Sequence, residues 1–534
     1  MEFSFSHFQS IVEKAPLFTS EDSSFAHHTM KNRLPKILDQ IIHDNEFGDE
    51  DVVESLIDLK ESLKNNGWIE RFKDHENAGD LYYQVWSQEY DEKLRDRRWL
   101  EVEWFVCESY FYRLVLSKIG YFEEENKEED QIEKEETKGG GSSSDHSSNI
   151  SQNDPFYKSK LRSLVEDEDT IQFISSISSL LFSNNEEEDD QRNIRDRLKL
   201  FFMFSLWGNR VDGCYKEVMN QKNNQEYGGN KTEEAEDDML LIDEREKFIE
   251  VLIDKIDHLH SSSTSSNNNS IFQDEKELNS TQSLKEEEEE EEFIILSFVT
   301  DNCGNEILCD ICLMICLLQF FPQHLKIRIH CKKCPTFVSD ITTSDFDVFF
   351  LNLQTSPVAS LLPQLIDRFY ELVKVEEKIQ ICGHDFWNGP LFFDQIPLNR
   401  NISNDNNMVV GSEIGDVMLI KGDANYRRVV FDTRWDCSSI HSLQDIITTH
   451  YNPSSSILSH TPFICLRTLK SDPIVGLNQD QVDKLDEVDH NWRINGKRGI
   501  IQVSILFFKF LMVSLIGSQF RIKLLKMEPK YRNT

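Results

Sequence analysis

Apolar residues recur at three- and four-residue spacing through much of the first half of the chain. Leu34 to Ile42, Val52 to Leu63 and Trp99 to Val115 carry the pattern, as do Ile171 to Leu181, Leu198 to Trp207 and Val251 to Leu259. That spacing turns one face of a helix toward a core. The pattern changes at Phe293. Phe293 to Thr300 (FIILSFVT) is a short unbroken apolar run, as expected of a strand buried on both faces. A helix is predicted over Glu306 to Phe320, a second strand over Leu325 to His330, and a connection or short strand over Thr336 to Ser339. Helical stretches follow at Asp345 to Leu353 and Leu361 to Val373, then strands at Val417 to Ile420 and Phe463 to Leu466. Alternating strands and helices predict an α/β fold: a mostly parallel sheet with flanking helices, carrying a helical N-terminal part.

Four low-complexity segments interrupt this pattern. They are Glu123 to Asn153, Ser183 to Gln191, Gln221 to Asp238 and Ser261 to Glu292, the last ending in seven consecutive glutamates. None holds enough apolar surface to offset the entropy of ordering it, so they read as disordered acidic insertions. The organisation expected is a helical part over residues 1–122, an insertion over 123–155 and a helical segment over 156–220. A largely disordered insertion with one helix follows over 221–292, then the α/β domain over 293–503 and an atypical apolar tail over 504–534.

The 534 residues hold 57 Lys+Arg against 95 Asp+Glu, a net charge of -38. Four acidic runs inside these segments, Glu123–Glu136, Glu186–Asp190, Glu233–Asp238 and Glu286–Glu292, hold 26 acids and 2 lysines, so they supply -24 of that charge. A polyanionic partner is disfavoured, so neither nucleic acid nor an anionic membrane is expected. The longest apolar stretch, Ile505 to Ile516, is too short to cross a bilayer, which needs about 20 residues. The first residues lack a secretory signal, and 11 cysteines without one predict a reduced, cytoplasmic protein.

Polar residues gather just after each apolar run. Asp301-Asn302, then Gly304 and Glu306, follow the first strand; Phe337-Val-Ser-Asp340 lies beyond the second. Lys421-Gly-Asp-Ala-Asn-Tyr-Arg427 follows the third, and Arg467-Thr-Leu-Lys470 the fourth. Ligands bind at the carboxyl ends of strands in an open parallel sheet. Asp301, Asn302 and Asp340 offer oxygens suited to Mg²⁺ or Mn²⁺, while Arg427, Arg467 and Lys470 offer donors for phosphate. Taken singly, each motif has an ordinary reading: Asp-Asn as a turn and helix cap, KGDANYR as a strand-to-helix turn, RTLK as a surface charge pair. The case rests on all four lying at strand ends. Cys309-x-x-Cys312 and Cys331-x-x-Cys334 have structural-zinc spacing, but Cys309, Cys312 and Cys316 sit in an apolar helical pattern and read as small core residues.

Together the four motifs resemble the metal-dependent damage-control phosphatases, in particular the subfamily marked by an RTxK motif. Ser24-Phe-Ala-His27, Arg33-Leu-Pro35, Leu206-Trp-Gly-Asn209 and Gly496-Lys-Arg-Gly-Ile500 extend the resemblance over residues 15 to 503, insertions excluded. It implies metal ligands Asp301, Asn302 and Asp340, with Mn²⁺ foremost and Mg²⁺, Co²⁺ or Ni²⁺ also suited. Asp301, Asn302 and Glu306 are implied to be catalytic. Asp301, Asn302, Asp423, Asn425, Tyr426, Arg427, Arg467 and Lys470 are implied to hold a sugar phosphate such as fructose 1-phosphate or fructose 6-phosphate. Members of the subfamily have also been described as S-adenosylmethionine-dependent protein-glutamate methyltransferases, which is the alternative function. The family pattern ends near Gln502, and the apolar tail beyond it is expected to be intron-derived.

Overall fold

The computed structural model describes residues 16–22, 24–73, 81–122, 154–182, 191–208, 239–267, 293–396, 410–436 and 440–505. Most of the four predicted insertions, Asn209 and the tail beyond residue 505 lie outside these residues.

Seven strands form one sheet: β1 (Leu240–Asp243), β2 (Ile294–Val299), β3 (Leu325–Cys331), β4 (Ile379–Gly383), β5 (Val417–Lys421), β6 (Phe463–Thr468) and β7 (Gly499–Ser504). Their order is β1-β7-β6-β5-β2-β3-β4. All neighbours pair parallel except β6 and β7. The chain builds outward from β2 through β3 to β4, then returns to lay β5 on the other side of β2. Such a reversal opens a crevice between the carboxyl ends of the two central strands. Here those strands are β2 and β5.

The sheet separates two apolar layers. One packs the helices Glu168–Phe182, Gln191–Trp207, Asn305–Phe320 and Pro363–Lys374 against Leu296, Phe298, Ile327 and Ile329. The other gathers Met418, Ile420, Tyr426, Phe463 and Trp492 on the opposite face. A third cluster belongs to the N-terminal helices Leu34–Asp44, Glu50–Lys64 and Trp104–Lys118. The Trp104–Lys118 helix is buried on every side from Trp104 to Ser117, which is why its sequence shows no polar face. It starts at Trp104, later than the predicted Trp99, because Phe18 and Glu103 pair as an isolated β-bridge and Thr19 holds Val102.

The structure departs from the sequence expectations in identifiable places. β1, β4 and β7 were not anticipated. β4 (IQICG) and β1 (LLID) are short edge strands with little continuous burial. β7 contains Gln502, whose side-chain amide is satisfied in the core by Val475 O and Tyr426 Oη. Arg467 and Thr468 lie inside β6, whereas the apolar run FICL suggested that the strand ended before them. Val503 and Ser504 pair with Ile464 and Phe463, so the sheet continues through the predicted start of the tail. Thr336 to Ser339 is a turn. The Arg245–Asn267 helix runs on through Ser261 to Asn267, because each residue added to a formed helix gains a backbone hydrogen bond. Asp154, placed by composition in the first insertion, is buried against Lys160 Nζ at 2.8 Å; that ammonium also reaches Asp345 at 2.7 Å.

Candidate active site

β2 delivers Asp301 to the crevice, and the Asn305–Phe320 helix begins four residues later. Gly304, at φ +94°, makes the turn between them, a conformation that costs residues with a Cβ. A tight polar knot results. Asn302 Nδ2 donates to Asp301 Oδ2 at 2.7 Å and to Glu306 Oε2 at 2.8 Å. Asn302 Oδ1 accepts from the Ser339 hydroxyl.

Asp340 reaches the same place by a different route. β3 ends at Cys331, and the chain loops out and back to pair Lys332 with Thr342 and Asp340 with Asn302 in isolated bridges. Cys303 N donates to Ser339 O at 2.6 Å and Ile341 N to Asp301 O at 2.9 Å. The return passes through Phe337 (φ +53°) and Val338 (φ +67°), both left-handed. For a β-branched residue that conformation is strained, and the surroundings must enforce it. Tyr112 of the Trp104–Lys118 helix packs on Phe337 with ring centroids 5.1 Å apart.

Asp301, Glu306 and Asp340 are therefore three buried carboxyls in one small volume. Burial, then Asp340 and Glu306, push the Asp301 carboxyl well above the usual carboxylate range, with Lys470 and Lys332 opposing. Burial pushes Asp340 up to about 6 against the pull of Lys332 and Lys160. Lys332 Nζ stands 3.5 Å from Asp340 Oδ2, and that oxygen accepts no hydrogen bond. On the far side Lys421 Nζ lies 3.3 Å from Glu306 and 2.7 Å from Asp310.

β5 carries the opposite wall. It ends at Lys421, and Gly422 (φ +88°) turns the chain into the Asp423–Val429 helix. The residues of KGDANYR divide by what they touch. Asp423 Oδ1 accepts from Arg467 Nε at 2.8 Å and from Lys470 N at 3.0 Å; Arg467 and Arg427 hold its carboxyl below the usual range despite burial. Asn425 Nδ2 ties Thr300 O to Lys421 O. Tyr426 Oη donates to Gln502. Arg427 is clamped by Asp432 at 2.7 Å and Glu108 at 2.9 Å, under Trp104 at 3.6 Å from the ring centroid. Arg467 gives its remaining donors to Ser471 and Pro473. Four of these side chains, Asn425, Tyr426, Arg427 and Arg467, are thus buried and engaged by the protein itself. Lys470 differs: its side chain is part-exposed, with no hydrogen bond or ion pair among the described residues, and its charge acts on Asp301.

The structure brings in residues that the motifs did not single out. Lys332, Ser339, Gly422, Glu108 and Asp432 build the walls. Ser339 and Gly422 lay within quoted motifs without being singled out; Glu108 and Lys332 carry no local signal, since their partners Arg427 and Asp340 are remote in sequence or reached through a loop. Cys309, Cys312 and Cys316 are fully buried in the apolar layer, and Cys334 belongs to a different cluster from Cys331. Among the described residues no three His, Cys, Asp or Glu side chains form a ligand sphere, so an ion between Asp301 and Asp340 would draw its third protein oxygen from Asn302.

An α/β fold with buried carboxylates at its switch point and a cation opposite is the frame of a phosphate-processing enzyme. A family model described as the damage-control phosphatase ARMT1-like domain matches residues 29–485, and the chain belongs to that family. It is similar to the damage-control phosphatase ARMT1 of Danio rerio, 24% identical over 505 residues covering 90% of this chain and 95% of that protein. The Homo sapiens protein of the same name is 24% identical over 519 residues, covering 92% and 98%. A crystal structure of a DUF89 family protein from Pyrococcus horikoshii aligns at 12% identity and TM-score 0.35, covering 90% and 98%. Family membership makes the chain a phosphatase of metabolite damage control. Among the described residues no helix is long and apolar enough to cross a membrane.

Proposed function

We propose that the chain hydrolyses sugar phosphate monoesters, of the fructose 1-phosphate and fructose 6-phosphate type, with a divalent metal held by Asp301, Asn302 and Asp340. The observation that carries this reading is the pairing of Asp301 with Asp340: two buried carboxyls side by side, with Asp340 Oδ2 accepting no hydrogen bond among the described residues and only the Lys332 ammonium, 3.5 Å away, to offset it. Two such groups repel unless a cation lies between them. Oxygen donors alone suit Mn²⁺ or Mg²⁺. Such an ion, when bound, supplies Lewis acidity toward phosphoryl oxygens and lowers the pKa of water.

The remaining work falls to the chain. Lys470 extends an unpaired ammonium over Asp301 and receives phosphate oxygens as a point charge. Glu306 and Ser339 fix the Asn302 amide from either side, so its Oδ1 keeps one lone pair for a ligand. Asp423, pinned by Arg467, accepts the Lys470 N–H where the chain leaves β6 and so orients Lys470. Arg427 anchors the Asp423–Val429 helix to the N-terminal part through Glu108.

The test is phosphate release from fructose 1-phosphate with Mn²⁺, run on wild type and Asp301→Ala, with and without chelator. Release that needs metal and disappears in Asp301→Ala supports the reading. No release from folded wild type across several sugar phosphates, with S-adenosylmethionine binding by calorimetry, overturns it in favour of methyl transfer.

A further inference from the structure

We infer that Arg428 is a positioning residue for the wall of the site that carries Lys332 and Asp340, acting as a latch on the short helix Asp385–Asn388 and the loop that follows it to Leu391.

Arg428 is buried, yet it differs from its neighbour Arg427 in having no carboxylate partner among the described residues. Its Nε and Nη2 donate to Leu391 O at 2.9 and 2.6 Å, and Nη2 also donates to Phe386 O at 3.0 Å. Its guanidinium lies 4.5 Å from the Phe386 ring centroid, 5.5 Å from Phe393 and 5.8 Å from Trp387. Nη1 has no partner. A buried guanidinium satisfied only by carbonyls is costly, so the fold keeps this one for where it holds the chain.

The latched segment holds the site in turn. Trp387 O accepts from Lys332 Nζ, the ammonium beside Asp340. Asn388 Oδ1 accepts from Lys333 N at 2.7 Å and Cys334 N at 3.3 Å; its Nδ2 donates to Cys334 O at 2.7 Å and Thr336 Oγ1 at 2.6 Å. Residues 332–336 are therefore fastened to residues 387–388 along their length, just before the left-handed turn that presents Ser339 and Asp340. Arg428 itself sits on the Asp423–Val429 helix, whose cap Gly422 lies against Asp301. One helix thus sets both walls of the carboxylate cluster: its cap lies against Asp301, and its Arg428 fixes the segment behind Asp340.

The proposal rests on the phosphatase reading only for its kinetic arm. The first measurement is hydrogen–deuterium exchange of Arg428→Met against wild type. Amides of 332–341 are expected to exchange at least ten-fold faster, with those of β6 and β7 unchanged. Unchanged exchange over 332–341, or a uniform rise across the sheet, overturns the latch. If Arg428→Met does not fold, Arg428→Lys is used; it keeps the charge but cannot bridge two carbonyls, and the same local pattern is expected. In the kinetic arm, kcat falls at least ten-fold with KM within three-fold. Adding Arg428→Met to Lys332→Met then lowers kcat by less than the product of the two single losses, because part of the Arg428 effect passes through Lys332. Independent, multiplying losses overturn the proposal. A wild type that releases no phosphate sinks the phosphatase reading while the exchange result still decides the latch.

Discussion

Gly422 lacks a side chain where Asp301 needs the space. A Cβ built on Gly422 would fall well inside contact distance of all three atoms of the Asp301 carboxyl group, and Gly422 is held at φ +88°. The first residue after β5 and the second after β2 are therefore fitted to each other, at the point where the strand order reverses. Gly422→Ala is expected to push the Asp301 carboxylate out of register. Phosphate release should fall at least a hundred-fold, with a backbone penalty of about 1–3 kcal/mol for this glycine-favoured conformation appearing in the urea midpoint. Wild-type activity in this variant would show that Asp301 does not work from the place it occupies.

Neutralising one member of the carboxylate cluster has opposite effects with and without metal. Asp301→Asn removes a charge that repels Asp340 and Glu306. The metal-free variant should melt higher than metal-free wild type. Added Mn²⁺ should stabilise wild type, by about 2.7 kcal/mol at a hundred times its Kd, and leave the variant nearly unmoved. Thermal melts with chelator and with Mn²⁺ decide it; equal metal responses would remove Asp301 from the ligand set.

The two cations of RTLK should separate cleanly. Lys470→Ala is expected to raise KM for the phosphate ester at least ten-fold with only a small change in melting temperature, since it loses no hydrogen bond or ion pair among the described residues and only its field on Asp301. Arg467→Ala strips Asp423, Ser471 and Pro473 of their donor. Breaking a buried pair from one side costs about 3–5 kcal/mol, so this variant should lose stability first. Equal stability losses in both would contradict the assignment of Lys470 to ligand and Arg467 to scaffold.

His330 sets an acid limit on the fold. It is fully buried beside Ser297, with Nε2 3.0 Å from Ser297 Oγ, and burial, then Arg328 and His384, push its pKa down to about 3. The unfolded imidazole titrates near 6.5. Above that value both states are neutral and His330 contributes nothing to pH dependence. As pH falls below it, only the unfolded state takes the proton, so stability drops by about 1.4 kcal/mol per pH unit. His330→Gln should lack this component. Urea midpoints of the two proteins between pH 7 and 5 test it: parallel curves would mean the native imidazole protonates freely.

The place of the motifs in the fold was legible where a short polar motif directly follows a strong apolar run. Asp301-Asn302 after FIILSFVT and Gly422-Asp423 after VMLIK stand at the ends of β2 and β5, because continuous apolar runs mark central parallel strands. What each motif residue touches was not legible. Arg427 reads as a phosphate donor from its motif, and the fold gives it Glu108 from a helix early in the chain. Lys332 carries no pattern at all; its place follows from the Lys332–Thr342 bridge that folds Asp340 back. Edge strands β1 and β4 escaped notice because one-sided burial leaves little apolar signal in four or five residues. The cysteines show the reverse: their spacing imitated a zinc motif, and the helical period around them identified the core.

The pairing of β1 with β7 sets an order of assembly. Leu240 finds its strand partner in Gly499, and β7 in turn lies between β1 and β6. On a ribosome, β1 and the helix after it emerge long before that partner exists. The five-stranded body from β4 to β6 can form meanwhile, but β6 stays an open edge while it waits, and unpaired edges invite association with other chains. Gln502 then arrives with β7 to receive Tyr426, so the helix that frames the carboxylate crevice is completed by residues near the end of the last strand among the described residues. A nascent chain stalled before residue 499 would carry every motif residue of the crevice and still lack its finished wall.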